Sequence, residues 1–473
     1  MHISPFQYII SNQQLDFPIN HGEIFFHKGL SIGIHPSNRE HLVINNDLIF
    51  FGECFDYENT QFMNKEIAEQ LTGLSLEKKI EKINKLTGFF IFLFFENDHV
   101  YVFNDASGQL ETYISNTDNR LFISAQPNMI TYLSGDDSYH SDAPQYIIDR
   151  KINIFRKTPF KNIDKLIPNF YYHINDKKYI RFYPMKALPV LPADEVAKEA
   201  LAVLEGSIAS MASRKDISIA VTAGWDSRVL FAASLKNADK AVYYVLNHQT
   251  EDGRQDVKIA GQITGHFSKG LKVIDYDVSS IHLSGNDASV IWKDDEKGRK
   301  MSLLMNEHFP DRYLINGNIS EVARNFYDPL PENLSLGELC YILGIKDGPY
   351  EKNAVKEWLE TRNQYIYLLD SIYWEHKMPN WAGASKSVSN VYNTVISPFN
   401  NRYLLNLLLS TRRKDRDKYF HKIYSSILKN VDTHLALIPL NPTKKHRQIS
   451  TMKKLHVYPL YRHLFFKMKK LKF

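Results

Sequence analysis

Cysteine is scarce: Cys54 and Cys340 are the only two in 473 residues. They lie far apart and show no metal-ligand spacing, which fits a reducing compartment and leaves neither as a strong catalytic candidate. Net charge is small as well. A formal +5 over this length makes no global field that would single out nucleic acid, while anionic small molecules stay easy to accommodate. Long apolar runs are missing too. The most apolar stretch, Gly88 to Phe95, is far shorter than the roughly 20 residues a spanning helix needs. The N-terminus lacks the charged, apolar and small-residue succession of a signal peptide, so the expected location is cytoplasmic. No fixed-period repeat is visible.

What is present is enough apolar material for two or three cores. Hydrophobic residues make up 44%, aromatics 13% and charged residues 23%, a globular balance. From Ile24 to about Tyr183 short strands alternate with turns: Leu42 to Phe51, Gly88 to Phe95, His99 to Asn104, Thr112 to Ser115, Arg120 to Ser124 and Asn169 to His173. Apolar residues three and four apart predict helices over Met63 to Thr72 and Leu76 to Leu86. Pro184, Pro189 and Pro192 then mark a linker, because proline continues neither a ladder nor a helix interior. The expected domains are therefore 1–185 and 193–473. After the linker, Ala193 to Met211 has helical spacing, and Ile217 to Val221 suits a buried strand of a parallel sheet. Strand Ala241 to Leu246, helix Gln255 to Thr264, and strands Lys272 to Asp275 and Tyr313 to Ile315 continue the βαβ alternation. From about Leu336 the pattern is mainly helical.

The turn Thr222-Ala223-Gly224-Trp225-Asp226-Ser227-Arg228 stands between a strand and a helix N-terminus. Such a turn aims free N–H groups and the positive end of a helix dipole at one point, which favours a phosphate. Thr222 and Ser227 add hydroxyls, Gly224 permits close approach, Arg228 adds charge, and Asp226 is able to hold magnesium. No lysine follows in Walker spacing, and no glycines flank the serine as in a hydrolase elbow. An ordinary strand-to-helix turn is the plain alternative.

The segment resembles the pyrophosphate loop of the N-type ATP pyrophosphatases, Ser-Gly-Gly-x-Asp-Ser, and most closely the asparagine synthetase branch with its β-lactam synthetase and lasso-peptide cyclase relatives. Thr222 stands for the first serine, and Ala223 and Gly224 for the glycine pair. Further pieces match in the family's order. Phe51-Gly52-Glu53, Gly88-Phe89-Phe90, Asp105-Ala106-Ser107-Gly108-Gln109 and Leu121 to Ala125 resemble its amidohydrolase-like N-terminal domain. Asn316-Gly317-Asn318-Ile319-Ser320-Glu321 falls where the synthetases carry Ser-Gly-Glu-Gly-Ala-Asp-Glu, and Trp374 to Asn400 resembles a helical stretch ending in Pro-Phe-Leu-Asp.

The resemblance implies an α/β protein overall. Its N-terminal part would be an α+β Ntn-amidohydrolase-like sandwich. A parallel-sheet domain of the ATP-pyrophosphatase (adenine nucleotide alpha hydrolase-like) type would follow, with a helical C-terminal part. It implies ATP and Mg2+, with Thr222, Ala223, Gly224, Asp226, Ser227, Arg228, Gly317 and Arg324 around the phosphates. Tyr244, Val245 and Leu246 would meet adenine, Asp226 and Glu321 would hold metal, and Glu321 with Lys444 or Lys445 would serve catalysis. A capping carboxylate at Glu321, a surface ion pair at Arg324, a solvated basic loop at Lys444–Lys445 and a surface His248 are the structural alternatives.

Two departures matter. Glutamine-using members expose a cysteine after the initiator methionine, where this chain has His2; glutamine hydrolysis is therefore not expected. Asn318 replaces the family's proton-accepting glutamate. The expected activity is AMP-forming ligation of a small-molecule or peptide carboxylate to an amine or ammonia. A non-catalytic ATP-binding scaffold is the rival, and an active amidohydrolase the third. Nucleic acid is not an expected partner, and a homo-oligomer stays open. Lys453 to Lys472 mixes lysine with Leu, Tyr and Phe, which favours a packed helix over contact with an anionic membrane or partner.

Overall fold

The computed structural model describes residues 4–15, 22–283, 291–327, 330–441, 448–449, 451–453, 455, 457–461 and 464. Two six-stranded antiparallel sheets come first. One runs in the order Asp164–Lys165, Tyr113–Thr117, Arg120–Ser124, Tyr8–Ser11, Leu30–Ile34, Glu23–His27. The other runs Lys178–Arg181, Phe170–His173, His99–Asn104, Leu86–Glu96, Leu48–Asp56, Leu42–Ile44.

Side-chain alternation explains why the second sheet reads as continuous apolar sequence. Along Leu86–Glu96, Phe89, Ile91 and Leu93 enter the main core, while Phe90, Phe92 and Phe94 pack with residues of helices Asn64–Glu69 and Leu76–Ile83. Both faces are dry, so no polar alternation survives. The first sheet is covered likewise, with Tyr113 and Phe122 clustered against Met129 and Ile130 of helix Pro127–Ser134.

The expected strand from Leu42 to Phe51 is in fact a hairpin. Asn45 Oδ1 accepts from the amides of Asp47 and Leu48 at 2.9 and 3.0 Å and turns the chain between Leu42–Ile44 and Leu48–Asp56. Strands Tyr8–Ser11, Glu23–His27, Leu30–Ile34 and Lys178–Arg181 were not anticipated. Each has four or five residues, too few for a period to show, and Tyr8–Ser11 and Leu30–Ile34 are buried throughout.

Helix α1 (Ala193–Arg214) leads into a five-stranded parallel sheet with its intervening helices. In chain order these are β1 (Ile217–Ala220), α2 (Trp225–Ser234), β2 (Ala241–Asn247), α3 (Glu251–His266), β3 (Leu271–Asp275), α4 (Glu296–His308), β4 (Tyr313–Ile315) and β5 (Thr394–Ile396). The order across the sheet is β3-β2-β1-β4-β5, all parallel. The fold is therefore mixed α/β, an α+β sandwich followed by a parallel α/β sheet. Residues of α1, α2 and α3 share a core with Ile219, Tyr243 and Val245, and Leu304 and Met305 of α4 cluster with Tyr244 and Leu314 on the other face.

β5 is a strand set within the mainly helical C-terminal part. Three β-branched residues, Thr394-Val395-Ile396, pair with β4 before Pro398 ends the strand. Because β2 and β3 lie on one side of β1 while β4 and β5 lie on the other, the connection reverses between β1 and β4. In open parallel sheets, ligands bind beyond the carboxyl ends of the strands at such a reversal.

Polar contacts join the sandwich to this sheet. Glu53 accepts from Tyr313 Oη at 2.9 Å and pairs with Arg214 at 3.1 Å. Asn400 donates to Asp105 at 2.9 Å and to Gly88 O, and accepts from Ser107 at 2.7 Å, so three segments singled out by motif meet at one buried point. Among the described residues no helix is long and apolar enough to cross a membrane.

Candidate functional site

The site lies where the loops after β1 and β4 meet. After β1, the Thr222 amide and Thr222 Oγ1 both contact Ser227 Oγ, at 3.0 and 2.8 Å, and the Gly224 amide donates to Thr222 Oγ1 at 3.3 Å. The two hydroxyls therefore brace the turn from inside. Gly224 is the N-cap of α2 and supplies no side-chain acceptor, so no cap occupies the first amides of the helix, while Asp226 stands in its first turn.

Asp256 escaped the sequence reading. From α3 it accepts the Ala223 amide at 2.8 Å. Burial raises its carboxyl above the usual range, and the Ala223 amide works against that. A helical aspartate 33 positions away carries no local signal; only the pairing of β1 with β2 brings it to the loop.

The β4 loop presses directly on this turn. A Cβ added at Gly317 would stand 2.5 Å from Asp226 Cβ, so only glycine lets the two loops touch. Ile319 is fully buried with φ +79°, a left-handed conformation that costs a β-branched residue on the order of 1–3 kcal/mol. It holds the place of a glycine in the resembled family. The turn delivers Ser320, Glu321 and Arg324 to Asp226. Ser320 Oγ donates to Asp226 Oδ1 at 2.6 Å, and Arg324 pairs with Asp226 at 2.9 Å and Glu321 at 3.6 Å.

This trio is partly open, each side chain between 16% and 20% exposed. Burial and the neighbouring Asp226 charge raise the Glu321 carboxyl, with Arg324 opposing. Burial opposes the Arg324 charge, but Asp226 and Glu321 outweigh it and hold the guanidinium above its ordinary value. Glu321 Oε2 and Arg324 Nε are buried and find no hydrogen-bond partner among the described residues.

Other expected residues are placed differently. Arg228 does not face the loop's outer side: it is fully buried and donates to the carbonyls of Leu435, Ile438, Pro439 and Ala223 at 2.6 to 3.4 Å. Burial lowers its pKa to about 10. The reason is its position on α2, whose face toward the C-terminal helices is buried. Tyr244 packs on Phe309 at 4.9 Å between ring centroids, and Val245 is buried in the main core, so neither side chain is free to meet a base. The Tyr244 carbonyl accepts from Val221 at 2.8 Å, where β1 has just ended. Leu246, two residues on, carries its backbone groups in the same direction past the strand end. His2, Lys444 and Lys445 lie outside the described residues. Asn441 donates its amide to Ala223 O at 3.1 Å.

Both cysteines are buried, and burial pushes the Cys54 thiol up and that of Cys340 up to about 11, so neither offers a ready thiolate. A polar cavity of about 70 Å³ adjoins the β4 loop, lined by Asn316, Asn318, Gln109, Lys386 and Asn400. Burial holds Lys386 well below the usual lysine range. Behind Trp225 a second cavity, of about 480 Å³, is lined by Tyr419, Phe420, Lys422 and Lys429.

Among the described residues no group of three or more His, Cys, Asp or Glu is placed to hold a metal ion. The donors that the resemblance implies for magnesium are Asp226 and Glu321. The unpartnered Glu321 Oε2 suits a cation, although Arg324 already stands beside both carboxylates. The uncapped α2 N-terminus suits phosphate.

No family model matches the chain, and no curated protein matches it. Among solved structures, glutamine-dependent NAD+ synthetase from Acinetobacter baumannii, in complex with ADP, is 12% identical with a TM-score of 0.21. That likeness covers 37% of this chain and only 33% of the synthetase. Glutamine phosphoribosylpyrophosphate amidotransferase from B. subtilis, complexed with ADP and GMP, is 10% identical over 68% of this chain and 71% of its own, with a TM-score of 0.24. A structure of the allosteric regulatory enzyme of purine biosynthesis is 10% identical over 69% and 71%, also with a TM-score of 0.24.

Proposed function

We propose that the chain is an ATP-dependent, AMP-forming amide ligase, in which residues 193–473 carry the chemistry and residues 1–185 form an amidotransferase-like part that does not hydrolyse glutamine. The observation that carries this reading is one juxtaposition at the strand reversal. The uncapped N-terminus of α2 and the Asp226–Arg324–Glu321 trio meet at the carboxyl ends of β1 and β4.

The triphosphate lies against the α2 amides with Thr222 and Ser227 beside it, and Leu246 offers backbone groups to the adenine edge. Arg324 faces the phosphates as a fixed charge. Magnesium, when bound with the nucleotide, would be held by Asp226 and Glu321 and would neutralise phosphate oxygens. A substrate carboxylate oxygen attacks the α-phosphorus, the bond to the bridging oxygen breaks, and pyrophosphate leaves. A nitrogen nucleophile then attacks the acyl carbon, the acyl–oxygen bond breaks, and AMP leaves. Asn318 has no basic group, so the ammonium proton passes to water or to AMP. Positioning and charge do the work.

ATP–pyrophosphate exchange with a panel of carboxylates tests the first step. The wild type should exchange label with at least one acid, and Asp226→Ala should abolish it; equal exchange in both proteins would remove the assignment. A second reading, a nucleotide-responsive scaffold without turnover, draws on Arg324 already neutralising both carboxylates and on Asn318. It gains if ATP binds saturably while no acid or amine yields AMP.

A further inference from the structure

The polar cavity beside the β4 loop lies on the seam between the sandwich and the parallel sheet. Phe89 and Gln109 reach it from the sandwich, Asn318 from the loop after β4, and Ser385 and Lys386 from helix Gly383–Ser389. Its volume is about 70 Å³. A water takes roughly 10–15 Å³ of such space, so there is room for a group of a few heavy atoms.

Lys386 is only 6% exposed, and its contacts are with neutral groups. It donates to Asn390 Oδ1 at 3.0 Å and to Val395 O, and its Nζ stands 3.4 Å from the centre of the Phe89 ring. Buried charges are ordinarily paired, because an unpaired one loses its hydration without return. The carboxylates whose fields reach Lys386 are Asp105 and Glu53, and both are engaged elsewhere. Asp105 accepts the amides of Gln109 and Leu110 at 2.9 and 2.8 Å and the Asn400 side chain at 2.9 Å. Glu53 is held by Arg214 and Tyr313.

Gln109 supplies a second, separate sign. It is 8% exposed, it lines the same cavity, and its Nε2 finds no hydrogen-bond partner among the described residues. Folded proteins rarely leave a buried N–H unmet, so this amide calls for an acceptor.

We infer that the cavity seats a small carboxylate monoanion, with Lys386 as its counter-charge and the Gln109 amide as a second donor. A cation would be repelled by Lys386, and a neutral group would leave the lysine charge unbalanced. Phosphate spreads up to two charges over four oxygens, more than one cation offsets. Burial holds Lys386 well below the usual lysine range, and an arriving carboxylate reverses that, so the acid binds together with a proton drawn from solution. The inference is independent of the adenylation reading, and its test contains no nucleotide.

The test is a ligand-observed NMR titration of the full chain with propionate at constant ionic strength. Propionate should bind saturably, whereas propionamide, of the same shape without the charge, should not. Lys386→Met should weaken propionate binding by roughly ten- to a hundred-fold. Gln109→Leu should weaken it by about three- to ten-fold, and this variant carries the test should Lys386→Met fail to fold. In unbuffered solution at pH 8 the wild type should take up protons as propionate binds. Absence of propionate binding overturns the proposal, as does equal binding of propionamide. Propionate affinity unchanged in a folded Lys386→Met variant, or in Gln109→Leu, places the acid elsewhere and overturns it too.

Discussion

Arg228 and Arg324 were both expected around the phosphates, yet Arg228 is buried against backbone carbonyls while Arg324 stands beside Asp226 and Glu321. Arg228 supplies donors to four carbonyls, so Arg228→Met should lower unfolding stability by about 3 kcal/mol in urea, because those acceptors lose their partner inside the protein. If it instead raises KM for ATP at unchanged stability, the buried role is wrong. Glu321 predicts a pH dependence. Its carboxyl is raised in the folded chain, so the folded state holds the proton longer than the unfolded one, and stability falls as pH climbs from the ordinary glutamate value of about 4.3 to the raised value. Glu321→Gln removes this loss. Melting temperatures of the two proteins should diverge in the variant's favour across that window and stay parallel above it; curves parallel throughout would refute the placement. Residue identity pointed to Asp226, Glu321 and Ser227 as candidates, since each is a functional group in a recognisable turn. It could not give Asp256 or the inward turn of Arg228, because burial and long-range pairing decide those.

At the level of elements, the β1 and β4 loops work as a pair. Gly317 is the point of contact, and Gly317→Ala should push the β4 loop off Asp226 by a few tenths of an ångström or more. Overpacking of this kind costs about 1–3 kcal/mol, and it should depress ATP–pyrophosphate exchange far more than Ala at an exposed loop position. Wild-type exchange in that variant would show that the loops need not touch. The strands with long apolar runs, such as Leu86–Glu96, were legible because nothing but burial on both faces produces them. β5 and Tyr8–Ser11 were not, since three or four residues carry no period and their partners lie far off in sequence. The reversal between β1 and β4 likewise follows from pairing, which no local pattern encodes.

At the scale of the whole molecule, one core spans both halves. A single apolar cluster extends from Phe6 in the sandwich through Tyr313 to Ile438, and the Glu53–Arg214–Tyr313 contacts cross the same boundary. Burial raises the Glu53 carboxyl, but His41, Arg214 and Tyr313 outweigh it and hold it below the usual range. Calorimetry should accordingly show one unfolding transition, and two resolved transitions would mean that the halves fold independently. The proline cluster after Tyr183 marks a change of architecture in sequence, yet it says nothing of how much surface the halves share. Asn400 makes the consequence concrete. Its amide joins Gly88, Asp105 and Ser107, residues contributed by the opposite end of the chain. These halves are therefore not interchangeable parts: a chimaera joined at the prolines inherits a working junction only if all four residues travel together, and lineages that recombine there would be expected to keep or lose them as a set.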